Sequence, residues 1–365
     1  MQITYDFQIF AWQRYGGISR YFYELITRMP TLSEVPVSLF MGLHVNEYSF
    51  DAHRDQFTRF FGVKHHLPKR MSRLASLANL ALFQGFLKST PRTIYHPTFY
   101  RPLQDGFKGK RILTVYDMIH EIFPEYFPGE ITAEWKRRSI PQADGIICLS
   151  ESAKQDLQRY FDVPSEKIQI IHLANSLEIP VTSPSLVGRP YVLYVGTRAG
   201  YKNFPMLARA FAQVRSLRKE FTLVCFGGGA FTPDEQDLFR SLGIEASVAN
   251  YQGPDGMLAN LYRYASAFVY PSLYEGFGFP PLEAMAYGCP VLVSRASSIP
   301  EVVGEAGLYF DPREADDLSH QLERLLADDS LRQTLAKRGT ERERRFSWDR
   351  CAQETLAFYQ RIAAS

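Results

Sequence analysis

The residues from Ala267 to Ser294 read AFVYPSLYEGFGFPPLEAMAYGCPVLVS, and this stretch decides the fold. An apolar, β-branched run ends near Ser272, and a second such run begins at Pro290. Between them, a glycine-containing turn leads into a double proline, which suits the first turn of a helix, and Gly288 suits the end of that helix. A strand, a helix and a second strand in this order predict a βαβ unit with parallel strands.

The same alternation extends through the 365 residues on both sides of this unit. Runs that we interpret as strands lie at 2–7, 35–41, 93–96, 111–116, 145–149, 168–172, 191–196, 221–227, 247–253, 267–272, 290–294 and 308–310. Stretches that we interpret as helices include Ile18–Met29, Ser72–Leu87, Ile131–Pro141, Glu151–Tyr160, Phe204–Leu217, Met257–Tyr264 and Cys351–Ala364. The pattern predicts an α/β protein whose parallel sheets are covered by helices on both faces.

Residues 178–190 interrupt the alternation with three prolines and several small polar residues, which is typical of a linker. We therefore expect two doubly wound, Rossmann-like domains, at 1–185 and 186–346. We expect the closing helix, at 347–365, to return to the first domain. Because ligands bind beyond the carboxyl ends of the strands in such sheets, the substrate site should lie in a central cleft that the two domains face.

The bulk composition excludes several classes of protein. A formal net charge of +2, from 41 basic and 39 acidic residues, is too balanced for a general nucleic-acid binder. The four cysteines form no Cys-x-x-Cys pair, so we expect reduced, buried thiols rather than a zinc or redox site. The N-terminus lacks a signal-peptide pattern and no 18-residue apolar run occurs, so we expect a cytoplasmic protein without a membrane span.

Two glutamates flank the turn of the central βαβ unit. Glu275 precedes Gly276 and Gly278, and Glu283 follows the double proline. Glycines let a ligand approach the backbone closely, and the start of a helix attracts phosphates and hydroxyl groups. A carboxylate can accept paired hydrogen bonds from the vicinal hydroxyls of a ribose or a hexose. The pattern favours a nucleotide-sugar site; the alternative is a helix start whose acids only compensate its dipole.

A second candidate group follows the strand at 191–196. Arg198 comes two residues after Gly196, and Lys202 precedes the helix expected from Phe204. Sugar transfer releases a diphosphate whose negative charge grows in the transition state, where two fixed cations would stabilise it. The alternative is a solvated basic loop. Because the chain contains no Asp-x-Asp sequence, the usual signature of a metal that binds diphosphate, we expect metal-independent chemistry and no metal ligands.

These residues resemble the retaining glycosyltransferases of family 4, also called group 1, which have the two-domain GT-B fold. The resemblance covers nearly the whole chain and rests on these segments: Tyr15–Arg20 (YGGISR), Val195–Arg198 (VGTR) with Lys202–Phe204 (KNF), Tyr274–Met285 (YEGFGFPPLEAM) and Ser298–Val302 (SIPEV). It implies transfer with retention of configuration, in which the leaving phosphate helps to take the acceptor's proton. It implies no cofactor, because the nucleotide diphosphate sugar is the donor substrate.

The resemblance also assigns residues to the donor. In this chain they are Gly16, Gly17, Gly196, Arg198, Lys202, Tyr251, Glu275, Gly276, Phe277, Gly278, Phe279 and Glu283. Arg198 and Lys202 would clamp the diphosphate and act in catalysis, and Glu283 would bind the ribose hydroxyls. Glu275 would hold the transferred sugar together with the backbone amides of the turn and would count among the catalytic residues. Tyr251 would lie near the base.

The acceptor side departs from the family pattern at one position. Many relatives carry a histidine at the end of the strand in LTVYDMIHE, where this chain has Tyr116. His120 and Asp117 are the candidates to replace it in catalysis, and His96, Tyr116 and His120 are the candidates to bind the acceptor. The structural alternatives are Asp117 as a helix cap, His120 as a partly buried ring and His96 as a core histidine.

The segment Lys64–Arg73 is basic and leads into the apolar stretch LASLANLALFQGFL at 74–87. A basic end on an apolar helix suits a bilayer surface with anionic lipids. The segment therefore predicts a weak peripheral contact at the inner face of the membrane. The alternative is a helix that packs on the first sheet and has a basic flank.

The motifs together favour a transferase that moves a hexose from a UDP- or GDP-sugar to a saccharide or lipid-linked acceptor in glycan biosynthesis. A nucleotide-sugar epimerase and a non-catalytic nucleotide-sugar binding protein are the alternatives on the same two-domain plan. A nicotinamide dehydrogenase is disfavoured, because no Gly-x-Gly-x-x-Gly follows the first strand of either half. Gly227-Gly228-Gly229 lacks that spacing.

Overall fold

The computed structural model describes residues 1–66, 72–88, 93–102, 107–177, 179–214 and 219–365. The chain divides into two compact units. The first unit comprises Met1–Leu173 and Trp348–Ser365, and the second comprises Ala174–Ser347.

In the described part of the first unit, seven parallel strands form one sheet in the order β3-β2-β1-β4-β5-β6-β7. The strands are β1 Gln2–Tyr5, β2 Val37–His44, β3 Arg59–Lys64, β4 Thr93–His96, β5 Lys110–Val115, β6 Gly145–Cys148 and β7 Ile168–Ile170. The helices are Gly17–Leu32, Ser72–Lys88, Ile119–Ile122, Thr132–Ser139, Glu151–Tyr160 and Trp348–Ala364.

In the described part of the second unit, six parallel strands form a sheet in the order β10-β9-β8-β11-β12-β13. The strands are β8 Tyr191–Val195, β9 Thr222–Phe226, β10 Val248–Tyr251, β11 Ala267–Tyr270, β12 Val291–Ser294 and β13 Gly307–Phe310. The helices are Phe204–Gln213, Pro233–Leu242, Asp255–Tyr264, Phe279–Ala286, Ile299–Val303, Ala315–Ala327 and Asp329–Glu343. In each sheet the chain first adds strands on one side of the first strand, β1 or β8, and then returns to add the remaining strands on its other side. This is the doubly wound arrangement. The predicted fold class is confirmed.

The βαβ unit predicted at 267–294 is present. Strands β11 and β12 pair in parallel, with Phe268 opposite Val291. The connecting helix has the double proline in its first turn, where no intrahelical donor is needed. Just past its end, Gly288 adopts a φ of 68°, which suits glycine because it has no Cβ.

The sequence did not reveal the edge strand β3. Its sequence is RFFGVK, and none of its residues is fully buried. An edge strand contacts a neighbour on one side only, so charged residues are tolerated there and the apolar run is short. The periodicity of the sequence is correspondingly weak at this position.

The residues read as a linker belong to the second unit, and the division falls after Leu173 rather than after 185. The Asn260 side chain donates to the Pro184 carbonyl at 2.9 Å. The Tyr287 hydroxyl donates to the Leu177 and Ile179 carbonyls at 2.9 and 3.1 Å. These bonds attach the segment to helices of the second unit.

The closing helix, Trp348–Ala364, packs on the first unit. Its Tyr359 hydroxyl lies 3.1 Å from the hydroxyl of Tyr5 in β1. The Trp348 ring lies 6.4 Å from the ring of Tyr21 in the Gly17–Leu32 helix. The C-terminal residues therefore complete the first unit, although the second unit separates them from it in sequence.

Two general features bear on function. No helix among the described residues is long and apolar enough to cross a membrane. All four cysteines are buried, free thiols, namely Cys148, Cys225, Cys289 and Cys351.

Candidate active site

The glutamate of the turn and the lysine of the basic loop lie together. Glu275 follows β11 and Lys202 follows β8, and these strands are neighbours at the centre of the second sheet. The Lys202 Nζ lies 2.7 Å from Glu275 Oε1 and 3.3 Å from the Tyr270 hydroxyl. Burial acts to lower the pKa of Lys202, but the Glu275 carboxylate opposes it, and the resulting pKa is well above the ordinary value. Lys202 is therefore cationic at neutral pH.

Two serines fix the shape of the turn. The Ser297 hydroxyl accepts a hydrogen bond from the Glu275 amide at 2.8 Å. The buried Ser298 hydroxyl donates to the carbonyls of Glu275 and Phe277, at 2.7 and 3.0 Å. Ser297 has a positive φ of 45°, which is uncommon outside glycine. Ser298 was recognised from the sequence only as the first residue of the SIPEV motif. Its position directly before the Ile299–Val303 helix was the available signal.

The Phe279–Ala286 helix begins at Gly278, which has a φ of 105° and leads the chain from the turn into the helix. The ring of Phe277 packs against those of Phe279 and Phe346, with both centroids 5.9 Å away. Gly276, between Glu275 and Phe277, lies within this ordered turn. The whole turn is thus held by packing and hydrogen bonds at the carboxyl edge of the sheet.

Glu283 lies on the same helix and is buried, with 6% of its surface exposed. Its Oε2 accepts a hydrogen bond of 3.1 Å from the hydroxyl of Tyr262, in the Asp255–Tyr264 helix. The Tyr262 ring is itself fully buried and stacks on Tyr287, with an interplanar angle of 9°. Tyr262 is a residue that sequence reasoning missed, because nothing local marks a tyrosine as the partner of an acid 21 residues away.

Arg198 has several bonding partners within the second unit. Its guanidinium is buried and its Nε donates to Glu235 at 2.7 Å. Its terminal nitrogens donate to the backbone carbonyls of residues 227–230, at 2.7 to 3.4 Å. These acceptors engage the guanidinium and connect it to the glycine loop after β9, and the role of Arg198 in a diphosphate clamp stays a prediction.

This loop explains the three consecutive glycines. Gly227, Gly228 and Gly229 have φ values of 84°, 70° and 76°, which residues with side chains rarely adopt. A Cβ on Gly228 would come within 2.8 Å of Arg198 Nη1 and 2.9 Å of the Gly196 carbonyl. The glycines thus allow the loop to close around the arginine.

Gly196 and Tyr251 lie at the same edge of the sheet. The Gly196 amide donates to Phe226 at 3.0 Å, and the Gly227 amide donates to Tyr251 at 3.1 Å, so the ends of β8, β9 and β10 are joined. Asn203, which directly precedes the Phe204–Gln213 helix, adopts a φ of 57° and makes no capping bond with its side chain. Its amide donates to the carbonyls of Pro271 and Pro312, because a left-handed residue directs its side chain away from the helix start.

In the first unit, Gly16 and Gly17 form the start of the Gly17–Leu32 helix. A Cβ on Gly16 would lie 2.4 Å from Oε1 of Gln13. That oxygen accepts a hydrogen bond from the Ser19 amide at 3.2 Å, in the first turn of the helix. Gly16 therefore allows the close approach of Gln13, a residue that sequence reasoning did not single out.

His96 is a core residue rather than part of an acceptor surface. It is fully buried, with Nδ1 bonded to Tyr359 and Nε2 at 2.8 Å from the Thr114 hydroxyl. Burial lowers its pKa from 6.5 to about 3, so the ring is neutral. Both ring nitrogens are occupied by buried partners, which leaves none for an acceptor.

Tyr116, Asp117 and His120 follow β5 at the carboxyl edge of the first sheet. Tyr116 is buried and donates to the Thr98 carbonyl at 3.0 Å, so its hydroxyl is directed into the protein. Asp117 accepts from the Ile119 amide at 3.1 Å and lies 3.5 Å from the buried ammonium of Lys136. His120 Nε2 lies 3.1 Å from Glu130. Of the three, Asp117 has the most accessible side chain, at 31%, and its carboxylate is half-buried next to a buried cation.

Two predictions concern residues that the structure describes only in part. Within the described residues, no group of three or more His, Cys, Asp or Glu side chains is arranged to hold a metal ion. Of the basic segment Lys64–Arg73, residues 67–71 lie outside the described part, and so do the side chains of 72 and 73.

Two doubly wound sheets, with a lysine–carboxylate pair and a buried glutamate at the carboxyl edge of the second, define a glycosyltransferase with the two-domain GT-B fold. The chain belongs to the group 1, or family 4, glycosyltransferases, and it is a hexosyltransferase. Residues 15–177 match the sequence model described as "Glycosyltransferase Family 4". Residues 177–342 match the one described as "Glycosyl transferases group 1".

Curated relatives include two mannosyltransferases of Escherichia coli. O-antigen chain mannosyltransferase B is 33% identical over 284 residues, which cover 73% of this chain and 74% of that protein. The serotype-specific mannosyltransferase WbdA is 28% identical over 285 residues, or 72% of this chain. The chain spans only 34% of the length of WbdA.

Solved structures share the fold along the whole chain. Sucrose-phosphate synthase from Thermosynechococcus elongatus has a TM-score of 0.76 at 21% identity, with 100% of this chain and 96% of that chain covered. HepE from Anabaena, solved in complex with UDP-glucose, has a TM-score of 0.72 at 17% identity, with 100% and 98% covered. At these identities the similarity extends to the fold alone.

Proposed function

We propose that this enzyme transfers a hexose, with mannose as the first candidate, from a nucleotide diphosphate sugar to a saccharide or lipid-linked acceptor, with retention of configuration and without a metal ion. The observation that carries the proposal is the 2.7 Å ion pair between Lys202 and Glu275. Two relatives that are named mannosyltransferases support the choice of sugar. The family relationship supports a role in polysaccharide biosynthesis.

Each donor group has a side chain with suitable chemistry. Lys202 supplies a positive charge for the leaving diphosphate, and its raised pKa keeps that charge throughout the neutral range. Glu283, in a dry environment, accepts hydrogen bonds from the two ribose hydroxyls. Glu275 and the adjoining turn hold the hexose, and Glu275 also fixes the position of Lys202.

The proposed reaction needs no side chain as a general base. The bond between the sugar's anomeric carbon and the phosphate oxygen breaks, and the acceptor oxygen bonds to the same face of that carbon. The acceptor's proton passes to the departing phosphate oxygen. The two candidate bases of the first unit already have partners, since His120 is bonded to Glu130 and Asp117 to the Ile119 amide.

The proposal is tested in two stages with the full-length enzyme. A thermal-shift panel of UDP, GDP, ADP and their sugars identifies the donor, because a ligand stabilises the state it binds. Transfer to an α-linked mannotriose is then followed, and the anomeric configuration of the product is read by NMR in the presence of EDTA. We expect one nucleotide to stand out and the product to be the α-anomer when the donor is α-linked.

Two variants assign the roles within this assay. Lys202→Ala should reduce turnover by about 10²- to 10³-fold with a smaller change in donor affinity, since its charge acts on the leaving group. Glu283→Ala should raise the donor Kd by roughly 10- to 100-fold, as expected for the loss of hydrogen bonds to a charged group. Conversion of the donor sugar without acceptor would identify an epimerase, and nucleotide binding without any turnover would identify a binding protein.

We also propose a weak peripheral contact with an anionic membrane surface at the inner face of the membrane, made by Lys64–Arg73 and the helix that follows. One face of the Ser72–Lys88 helix packs on the first sheet, where the Asn79 side chain bonds both backbone groups of Leu43 at 2.7 and 3.0 Å. Another face exposes apolar side chains, including Leu74 at 64% and Leu77 at 60%. An apolar face beside basic residues supports an interfacial location.

Liposome co-sedimentation tests this contact. We expect the wild type to sediment with vesicles that contain phosphatidylglycerol and not with neutral vesicles. Removal of the charges of Lys69, Arg70 and Arg73 should abolish sedimentation. Equal sedimentation of the two proteins would end this part of the proposal and leave the enzymatic part untouched.

A further inference from the structure

A group of three aromatic rings, one of them exposed, lies on the first unit. Trp12 is 47% exposed and stacks on Trp135, with the ring centroids 5.5 Å apart and an interplanar angle of 17°. The Phe99 ring meets both edge-on, at 5.2 Å from Trp12 and 6.3 Å from Trp135. We call these three residues the tryptophan platform. Since large aromatic side chains gain free energy from burial, an exposed and ordered group of them marks a binding surface.

The platform lies where a doubly wound sheet binds its ligand. Trp12 belongs to the loop after β1, and Phe99 to the loop after β4, the neighbouring strand. Tyr116 and Asp117 follow β5, the next strand in the same sheet. The platform therefore lies at the carboxyl edge of the first sheet, at its switch point. The Tyr116 ring, stacked 6.4 Å from Phe99, joins the platform to Asp117.

The buried carboxylate of Asp6 anchors the loop that carries Trp12 through a chain of hydrogen bonds. Asp6 accepts hydrogen bonds from the Thr98 hydroxyl at 2.7 Å and from the Tyr95 hydroxyl at 2.5 Å. The Thr98 hydroxyl in turn accepts from the Ile9 amide at 3.0 Å, and the Ile9 carbonyl accepts from the Trp12 amide at 3.1 Å. Trp12 is thus fixed before any ligand arrives, which reduces the entropy lost on binding.

The charges around the platform select the kind of ligand. The segment 117–134 carries acidic residues and neither lysine nor arginine; the acids are Asp117, Glu121, Glu125, Glu130 and Glu134. Arginines also lie close to the platform residues in sequence, namely Arg14, Arg101 and Arg137, so the charges near the platform are of both signs. A neutral sugar suits such a surface, because its hydroxyl groups donate to carboxylates and its C–H faces pack on aromatic rings. The neighbouring carboxylate of Asp117 is accessible and is held beside the buried ammonium of Lys136.

We propose that the tryptophan platform is an acceptor subsite, which stacks a hexopyranose ring of a saccharide acceptor against Trp12 while Asp117 accepts hydrogen bonds from its hydroxyls. This inference rests on the proposed function, because it defines the acceptor as a carbohydrate that already contains at least one hexose. It replaces the predicted acceptor residues His96 and Tyr116, whose side chains are buried. It retains Asp117 as a binding residue rather than as a base.

The test uses intrinsic fluorescence, since the chain has three tryptophans and Trp348, the one outside the platform, is 6% exposed. Titration of the full-length enzyme with α-linked mannotriose should give a saturable spectral change. Trp12→Ala should abolish it, and Trp12→Phe, which retains a ring, should preserve it through Trp135. Sorbitol, which has the hydroxyls but no ring, and phosphatidylglycerol vesicles serve as controls and should give no such change.

Kinetics supply the second measurement. Trp12→Ala should raise the acceptor KM by roughly tenfold, as for the loss of an aromatic contact, with little change in donor Kd. Asp117→Asn should raise the acceptor KM by a similar factor. Two outcomes would contradict the proposed subsite. One is a Trp12→Ala variant whose acceptor KM and fluorescence titration equal those of the wild type. The other is a fluorescence response to vesicles and sorbitol but not to mannotriose.

The two proposals fail separately. If no nucleotide sugar is turned over, the proposed function fails, yet saccharide binding by fluorescence still decides the platform. If transfer proceeds and Trp12→Ala changes neither the acceptor KM nor the fluorescence titration, only the proposed acceptor subsite is contradicted. Should Trp12→Ala not fold, oxidation of Trp12 in the wild type by N-bromosuccinimide, followed by mass spectrometry, replaces it. Mannotriose should protect Trp12, and absence of protection counts against the subsite.

Discussion

At the scale of single residues, the two basic side chains of the loop after β8, Arg198 and Lys202, have different bonding partners. Lys202 bonds the carboxylate of the turn, at the edge where a donor would bind. Arg198, four residues earlier, is bonded to Glu235 and to the carbonyls of the glycine loop. A guanidinium has five donors in a fixed plane and can satisfy several convergent carbonyls, whereas an ammonium acts as a compact charge. Arg198 can therefore satisfy the carbonyls of the glycine loop and Glu235 together, whereas Lys202 places a single charge beside Glu275.

The buried location of Arg198 leads to a prediction about stability. Arg198→Met should reduce the free energy of unfolding by about 3 kcal/mol or more, because Glu235 and several carbonyls would lose their buried partner. Urea denaturation measures this change. Arg240→Met, which removes an exposed arginine from the Pro233–Leu242 helix, is the matched control and should change stability little. A similar small loss for both variants would mean that Arg198 is not the organiser of the loop.

Tyr262 is predicted to position Glu283. Tyr262→Phe keeps the ring but removes the hydroxyl that donates to Glu283. The donor Kd should rise several-fold, which corresponds to a loss of about 1 kcal/mol of binding free energy, because the carboxylate loses one of the bonds that orient it. Isothermal titration with the preferred nucleotide measures the change. Tyr264→Phe on the same helix, whose hydroxyl bonds the Ser183 carbonyl, should leave the Kd as it is; equal effects would assign Tyr262 a general structural role.

At the scale of elements, the closing helix is fixed to the first sheet through a buried polar network. His96 in β4 contacts Tyr359 of the helix, and Thr114 in β5 contacts both His96 and Tyr21. Gly145 of β6 allows the helix to pack closely, since a Cβ there would lie 2.7 Å from the Phe358 ring. Polar bonds in a dry interface are strong but allow only one arrangement, so they fix where the helix docks.

The network makes stability depend on pH. Burial lowers the pKa of His96 to about 3 in the folded protein, so between pH 6.5 and 3 the unfolded chain binds one proton more at this residue. The contribution of His96 to the free energy of unfolding is therefore constant above pH 6.5. As the pH falls below that value, this contribution decreases by about 1.4 kcal/mol per pH unit. Urea denaturation from pH 7 to pH 4.5 should show a shallower loss in His96→Gln than in the wild type.

The control for that experiment is His320→Gln, which removes an exposed histidine from the Ala315–Ala327 helix. Its pH profile should parallel that of the wild type. Parallel profiles for all three proteins would mean that His96 is protonated in the folded state at mildly acidic pH.

At the scale of the whole molecule, the chain builds two units, and the first is completed by residues that follow the second unit in sequence. All donor residues placed after residue 190 lie within the unit Ala174–Ser347. The helix Trp348–Ala364 belongs to the other unit and carries the buried side chains Cys351, Leu356 and Tyr359. Loss of this helix would uncover the β4–β5 region of the first sheet.

A chain that ends at Ser347 should therefore lose structure in one unit only. Hydrogen exchange, followed by mass spectrometry, should show reduced protection in Met1–Leu173 and unchanged protection in 174–347. The truncated chain should still show the thermal shift with its nucleotide, but it should not transfer sugar. Loss of protection in both units would mean that the second depends on the first for its stability.

Much of the fold could be read from the sequence, because strands buried on both faces must be apolar runs and the helices between them must be amphipathic. The helix Glu151–Tyr160 has the predicted bounds, and β4 has the predicted ends. The edge strand β3 could not be read, since one exposed side removes the pattern. The turn at Glu275 and Glu283 was recognisable because its glycines, prolines and acids are close together in the chain.

The sequence by itself determined the two doubly wound halves, the family and the turn that carries the proposed donor site, since all of these depend on local periodicity and on short motifs. Only the tertiary structure decided which charged and polar groups are paired. Arg198 meets Glu235 across 37 residues, and His96 meets Tyr359 across 263. Such partners are brought together by the order of strands and the return of the last helix, and no local pattern encodes them. The same pairing leaves Trp12 exposed in the first unit and Glu283 buried in the second.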